Sequence, residues 1–381
     1  MSKNNVERFM RIAISLAKHG KGKTAPNPCV GAVLVQNGLV VATGYHQKYG
    51  GPHAERLAIA SAKARQIDLS QCSLFVTLEP CNHTGKTPPC TQAILEAKIP
   101  EVYIGTKDPN PSVAGGGAEF LRQHGVKVQE NVLAEECREL IKDFYCWKVL
   151  NRPFFWLKLA TTLDGKIAAS SGDATWISGP KAREQVHLLR SQVNGVMVGG
   201  NTFKTDDPRL TVRKVEVLKQ PKAIILFRTL PKYDQVQAKY LFQQRAQETL
   251  VFALDNKSNQ ERAKAYHKAG IDPVLVRAKN DYLDLQEVAR WLLEHNFYYI
   301  LVEGGGFVAN QFLVQQLVDE LWYFLSPKIM GDKEGVPSFW GRKVSQIDEC
   351  INLKWKKIQR IENDLLLVLE PKERGDVYGD R

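Results

Sequence analysis

Four residues in two short stretches carry the most specific chemistry in this chain. "GPHAERLAIA" (51–60) sets His53 and Glu55 two residues apart at the head of a helical pattern. "EPCNHTGKTPPC" (79–90) sets Cys81 and Cys90 in a loop rich in Pro and Gly. One imidazole and two thiolates form a zinc ligand set that leaves the fourth tetrahedral position to water. Zinc lowers the pKa of that water from about 15.7 to about 7. A carboxylate that is not a ligand can then accept the proton and return it to a departing amine. Glu55, in the same helical turn as His53, is placed for that task. The competing reading is a closed structural site, which needs a fourth ligand from Cys72 or His83 and has no use for a carboxylate beside its histidine. Cys29, Cys137, Cys146 and Cys350 read as small buried apolar residues.

The elements that must hold this set alternate between strand and helix. "CVGAVLVQNGLVVATGYH" (29–46) holds two apolar runs joined by Asn37-Gly38, a hairpin signal. A helix over about 53–65 follows, then a strand at 73–79, the cysteine loop, a helix from about Cys90 to Ala97, and a strand at 101–106. This order predicts an α/β sheet covered on both faces. The stretch 143–168 reads as a joint, broken at Asn151-Arg152-Pro153, with a new strand from Phe154. The second half alternates likewise, with helices expected at 180–192, 260–269, 284–295 and 307–318. Domains are therefore expected at 1–150 and 151–371, with a loose charged tail at 372–381.

Composition narrows the function classes. With 44% apolar and 24% charged residues the chain has the make-up of a globular protein, and no apolar run approaches the length of a membrane span. Its first twenty residues lack the apolar block of a secretory signal. Seven cysteines, an odd number, fit a reducing cytoplasm better than a disulfide framework. The net charge of +11 is split as +5 in residues 1–150 and +6 in the remainder. No basic block with interleaved aromatics appears, so a nucleic-acid groove is weakly supported, while small anionic ligands suit such a surface.

The histidine, glutamate and cysteines match the zinc deaminase signature, His-x-Glu followed by Pro-Cys and a second Cys. The signature has two residues between its cysteines, whereas eight separate Cys81 from Cys90. That long loop, with "APNPCVGAV" (25–33) and "GYHQKYGGPHAE" (44–55), resembles the deaminase half of the bifunctional riboflavin-biosynthesis deaminase/reductase family over about 6–148. The resemblance implies a cytidine-deaminase-like α/β/α sandwich with one Zn²⁺ on His53, Cys81 and Cys90, and Glu55 as proton shuttle. It sets Asn27, His46 and Lys86 against the base and ribotide. By themselves Asn27, between two prolines, reads as a turn residue and Lys86 as a solvated loop charge.

In the second half "FFWLKLATTLDGKIA" (154–168), "VNGVMVGGNTFKTDDPRLTVR" (193–213) and "YYILVEGGGFVANQFLVQQLVDELWYFLSPKIMG" (298–331) stand out. Glycines between a strand and a helix N-terminus let phosphate reach backbone N–H groups that lack helical partners. Gly304-Gly305-Gly306 is not the G-x-G-x-x-G fingerprint, and alone it reads equally as a tight turn. Together these stretches resemble the reductase half of the same family over about 153–370, which implies a dihydrofolate-reductase-like α/β fold using NADPH. The implied cofactor contacts are Ala160, Trp176, Thr202 and Asp206, with Gly305, Gly306, Phe307, Val308, Ala309, Asn310 and Gln311. The implied ribotide contacts are Ala174, Arg190, Leu210, Arg213 and Glu303. Ala174 offers only backbone groups where the family often has a hydroxyl.

Reducing a ribosyl ring to a ribityl chain requires proton donors near the sugar and cations for its phosphate. Arg190 and Arg213 suit bidentate phosphate contacts. Lys158, Asp206 and Glu303, read as polar residues at strand ends, suit orienting the sugar or relaying a proton. Other readings pair Arg190 with Glu184 or the surface, and bury Trp176 in the core. The resemblance thus implies a cytoplasmic homo-oligomeric enzyme acting on a small phosphorylated pyrimidine ribotide, with no nucleic-acid or membrane partner. The alternative is a nucleic-acid-editing zinc deaminase with an accessory nucleotide-binding domain, which predicts a shorter cysteine loop and a basic face.

Overall fold

The computed structural model describes residues 1–84, 88–111, 116–217 and 219–372; Lys86 and positions 373–381 of the expected tail lie outside the described residues. The chain divides into two compact units, Met1–Asn151 and Arg152–Arg381. Among the described residues no helix is long and apolar enough to cross a membrane.

The first unit is built on a five-stranded sheet in the order Leu39–Tyr45, Gly31–Gln36, Ser73–Leu78, Glu101–Thr106, Lys127–Gln129. The first two strands form the expected hairpin, and Asn37 and Gly38 both take positive φ (52° and 76°), as a two-residue hairpin turn demands. Ser73–Leu78 runs antiparallel to Gly31–Gln36 and parallel to Glu101–Thr106. Helix Lys3–Ala17 buries Val6, Phe9, Met10, Ala13 and Ile14, a helical spacing, against Val33, Val35, Phe75 and Tyr103. Each large side chain so buried contributes about 1.5–3 kcal/mol.

Helix Ala54–Ala64 lies on the same sheet through small residues, Ala54, Ala58 and Ala62, all fully buried. A Cβ on Gly44 would stand 2.3 Å from the Ala54 carbonyl oxygen and 2.6 Å from the Ala58 nitrogen. Only glycine on that strand lets the helix approach so closely, and the approach fixes where His53 sits. Helix Ala134–Leu140 was not read from the sequence, and Lys142–Lys148 falls largely in the stretch read as the joint; they bury Cys137, Leu140, Phe144, Cys146 and Trp147.

The second unit holds a nine-stranded sheet. Its order is Val274–Val276, Thr249–Leu254, Lys222–Phe227, Gly195–Gly199, Tyr299–Val302, Phe154–Thr161, Glu320–Leu325, Asp364–Pro371, Leu353–Ile361. The first seven strands are parallel and the last two antiparallel. Gly195–Gly199 and Tyr299–Val302 are buried along their whole length, which is how central parallel strands read when both faces are covered. The helices fall at Pro180–Arg190, Lys257–Lys268, Leu285–Glu294 and Gly306–Val314. The polar stretch after Gly199 proves to be a short helix, Gly200–Asp206. Cys350 is exposed, unlike the buried residue expected; Cys29, Cys137 and Cys146 are buried.

Candidate active sites

His53 is the N-cap of helix Ala54–Ala64, Cys90 opens helix Cys90–Glu96, and Cys81 follows strand Ser73–Leu78. The fold brings them together: His53 Nδ1 lies 3.5 Å from Cys81 Sγ and 3.3 Å from Cys90 Sγ. Tetrahedral zinc, at about 2.0–2.1 Å from nitrogen and about 2.3 Å from sulfur, sets the two atom types about 3.6 Å apart. The three ligand atoms are within 4.8 Å of one another, and no fourth His, Cys, Asp or Glu among the described residues joins that group. The donor set therefore fits an open three-ligand zinc centre rather than a closed one. Without a metal the Cys81 thiol is pushed down to about 4, first by the Cys90 S–H and then by His53, while Cys90 rises because it holds the shared proton. A divalent cation replaces that proton.

Glu55 is buried, and its Oε2 has no hydrogen-bond partner. Burial raises its pKa. An unpartnered carboxylate oxygen costs about 1–3 kcal/mol or more, so a ligand is the expected partner. Glu55 lines a cavity of about 290 Å³ together with His53, Cys81, Asn27 and His46. His46 engages both ring nitrogens inside the protein: Nδ1 is 3.0 Å from the Pro52 carbonyl oxygen and Nε2 is 3.2 Å from Asn27 Nδ2. The carbonyl can only accept, so Nδ1 carries the proton and Nε2 accepts from Asn27. Burial lowers the His46 pKa and keeps the ring neutral for both bonds. His46 thus braces Asn27 instead of offering a free nitrogen to a ligand.

Tyr49, Glu79, Asp108 and Asn110 also line the cavity and were not singled out in the sequence, and His83, considered there only as a fourth metal ligand, lines it too. Their signal was position: Glu79, His83, Asp108 and Asn110 follow two neighbouring parallel strands, where α/β sheets place ligands. Glu79 accepts from the backbone N–H of Asp108 (3.3 Å) and Ala118 (3.0 Å), tying the end of the second of these strands to the start of helix Gly117–Gln123.

In the second unit Arg190 is not a free phosphate clamp. Its Nε and Nη2 donate to the two oxygens of Glu303 at 2.5 and 2.7 Å, and its Nη1 donates to the Thr211 carbonyl at 3.0 Å. Burial would raise the Glu303 pKa, but Arg190 outweighs it and holds the carboxylate ionised. Lys158 lies inside strand Phe154–Thr161 and not at its end; burial lowers its pKa against the opposing pull of Glu303. Asp206 closes a helix, not a strand, and is exposed. Ala160 is half-buried on the same strand as Lys158, and Ala174 is exposed. Trp176 is 63% exposed, with the Arg183 guanidinium 4.1 Å above its ring, so it is no core residue.

Gly305 caps helix Gly306–Val314, and its N–H donates to Thr202 Oγ1 at 3.1 Å. A Cβ on Gly305 would meet nothing nearer than 3.5 Å, so this edge is open, whereas one on Gly306 would stand 2.4 Å from the Pro337 carbonyl oxygen. Of the seven residues 305–311, Val308 and Ala309 bury their side chains in the core, where they leave only backbone for a cofactor. Phe307 packs on Tyr282 and Trp340. Asn310 is buried with its Nδ2 unpartnered. A free helix N-terminus beside a buried orphan donor fits the phosphates and polar edge of a dinucleotide.

Leu210 is buried and Arg213 exposed, on a segment tied to helix Pro180–Arg190: His187 Nδ1 accepts from the Arg213 N–H at 3.3 Å. Burial, then Arg190 and Arg213, lower the His187 pKa from 6.5 to about 4. The unfolded chain therefore binds more protons at this site over about pH 4–6.5, so stability rises with pH there. The contribution is complete above about pH 6.5 and is lost as the pH falls through about 4. Urea unfolding at pH 4.5 and 7 should show this pH dependence diminished in His187→Asn; an unchanged dependence counts against the assignment.

A three-ligand metal triangle beside a carboxylate, on a mixed sheet with helices against it, defines the first unit as a zinc-dependent deaminase of the cytidine-deaminase class. Residues 3–106 match the family model for the cytidine and deoxycytidylate deaminase zinc-binding region, and residues 153–367 match the RibD C-terminal domain. The chain belongs to the family of the riboflavin biosynthesis protein RibD. It is 40% identical to that protein of Actinobacillus pleuropneumoniae, over 94% of this chain and 93% of the relative. To that of Aquifex aeolicus it is 39% identical, over 95% and 97%. A crystal structure of the diaminohydroxyphosphoribosylaminopyrimidine deaminase/5-amino-6-(5-phosphoribosylamino)uracil reductase of Thermotoga maritima superimposes with a TM-score of 0.80 at 38% identity, covering 97% of this chain and 99% of that one. The protein is a bifunctional riboflavin-biosynthesis enzyme, hydrolase and oxidoreductase, and its family implies Zn²⁺ and NADPH as cofactors.

Proposed function

We propose that the first unit deaminates 2,5-diamino-6-ribosylamino-4(3H)-pyrimidinone 5′-phosphate and that the second reduces the product, 5-amino-6-(5-phosphoribosylamino)uracil. The observation that carries the first step is the His53, Cys81, Cys90 triangle with the unpartnered Glu55 oxygen beside it. His53, Cys81 and Cys90 would hold zinc, which when bound would supply the Lewis acidity that makes water nucleophilic near neutral pH. Glu55 Oε2 takes the proton of the attacking water and hands it to the 2-amino group, which leaves as ammonia. Asn27, held by His46, offers its amide to the pyrimidine.

In the second unit Gly305, Gly306 and Thr202, with Asn310 behind them, would hold NADPH, which when bound would supply a hydride for C1′ of the opened ribosyl imine. Lys158, its charge weakened by burial, passes a proton to the adjacent nitrogen, and Glu303 orients the sugar. Arg213 meets the phosphate, because Arg190 is neutralised by Glu303. The two units serve as the deaminase and reductase domains, with the division at 151. The absence of a nucleic-acid partner accords with the spread charge and the eight residues between the cysteines; a cytoplasmic homo-oligomer is part of the same reading.

Supplied with the diaminopyrimidinone ribotide and NADPH, the enzyme should release ammonia only while metal is bound. A chelator should abolish ammonia release, and nicotinamide absorbance should fall in its presence only when pre-deaminated ribotide is added. Ammonia release that survives complete removal of the metal would sink the zinc assignment.

A further inference from the structure

Segment 209–213 belongs to no helix or strand, yet six of its backbone polar groups are held by side chains from elsewhere in the second unit. Arg245 Nη1 donates to the carbonyls of Arg209 (3.0 Å) and Leu210 (3.3 Å). Arg190 holds the Thr211 carbonyl. Gln220 brackets Val212: its Oε1 accepts from the Val212 N–H at 2.8 Å and its Nε2 donates to the Val212 carbonyl at 3.0 Å. His187 accepts from the Arg213 N–H.

The bracing is matched by strain. Leu210 has φ 50°, a left-handed conformation that a bulky L-residue adopts only when its surroundings over-determine it. The braces are rooted in regular structure. His187 and Arg190 sit on helix Pro180–Arg190, and Arg245 also donates to the Pro221 carbonyl at 2.7 Å, beside the start of strand Lys222–Phe227. A connection that merely closed the chain has no need of such a frame. What the frame holds still is the backbone beneath Arg213, whose side chain is exposed. A cation on a fixed backbone loses less freedom when it captures an anion.

We propose that Gln220, Arg245 and His187 are positioning residues of the reductase: they fix segment 209–213 so that Arg213 stands pre-placed for the substrate phosphate, without touching it themselves. This rests on the reading that Arg213 receives the phosphate. His187 suits the task because burial and its cationic neighbours keep it neutral, with Nδ1 free to accept.

The test uses the full chain with pre-deaminated ribotide and NADPH, and inorganic phosphate as a competing probe. Gln220→Met removes both bonds to Val212 at similar volume, His187→Leu removes the acceptor, and His187→Asn restores one near the Nδ1 position. Gln220→Met and His187→Leu should raise the ribotide KM and the phosphate inhibition constant at least about tenfold, with kcat and NADPH affinity within about threefold. His187→Asn should return the KM to within about threefold of the parent. Unchanged KM in both disruptive variants, a loss confined to kcat, or failure of His187→Asn to rescue would each overturn the proposal. Arg213→Ala separates the two layers. If it weakens phosphate while the brace variants do not, only the brace is refuted; if it changes nothing, the phosphate placement falls and the brace with it. Retained NADPH binding reports folding, and should Gln220→Met lose it, the His187 pair carries the test.

Discussion

Glu55→Gln should keep about one zinc per chain and lose deamination by at least about a hundredfold, the scale of a positioned acid–base group. The expectation follows from what the side chain lacks. Its Oε2 is buried in the wall of the cavity with no protein partner, so nothing but a ligand is there to use it. Glutamine fills the same volume and still presents an oxygen, but its amide cannot take a proton from water and deliver it to an amine. The three ligand side chains are untouched, so metal content by elemental analysis should match the parent. NADPH oxidation with pre-deaminated ribotide should also persist, since Glu55 belongs to the first unit. A variant with full ammonia release would remove Glu55 from the reaction, and one that loses zinc would make it a ligand.

Arg190→Ala should abolish measurable ribotide reduction, leave ammonia release intact, and destabilise the second unit by about 3–5 kcal/mol. The size comes from Glu303, whose carboxylate is buried and loses both of its charged hydrogen bonds. For a unit of this length that corresponds to a fall in Tm of roughly 6–20 °C. Thr211 loses its bond to Nη1 as well. Arg190→Lys keeps the charge but not the planar fork, and should fall between parent and alanine. The double variant Arg190→Met with Glu303→Leu should recover much of the stability without recovering reduction, because no buried charge is then left alone. Unchanged melting in Arg190→Ala would show that the pair is more hydrated than its burial implies.

The zinc site was legible in the sequence because its residue types are few and chemically specific. His53 and Glu55 share one helical turn, and only thiolate and imidazole chemistry makes sense of that pair beside two loop cysteines. The hairpin was legible for the same reason, Asn37-Gly38 being the dipeptide that a two-residue turn requires. Arg190 is the counterexample. Its residue type suggested phosphate and its helix suggested Glu184, but its partner is Glu303, 113 positions along the chain. Glu184 instead pairs with Lys181 and Lys214. His46 shows the same limit: the resemblance set it against the base and it lines the cavity, but only the structure shows its ring nitrogens facing the Pro52 carbonyl and Asn27.

By itself the sequence offered His53, Cys81 and Cys90 as a zinc ligand set, Glu55 as the candidate proton carrier and a two-unit order, since residue type limits which atoms can share one ion; the structure gathers the three ligand atoms within 4.8 Å. The tertiary structure alone decided which charged groups are free. Lys158, Arg190 and Glu303 meet on neighbouring elements of a sheet and helix, and burial there makes each charge seek a partner at any sequence distance. That is why Arg190 is committed and Arg213 exposed, a distinction no spacing rule contains.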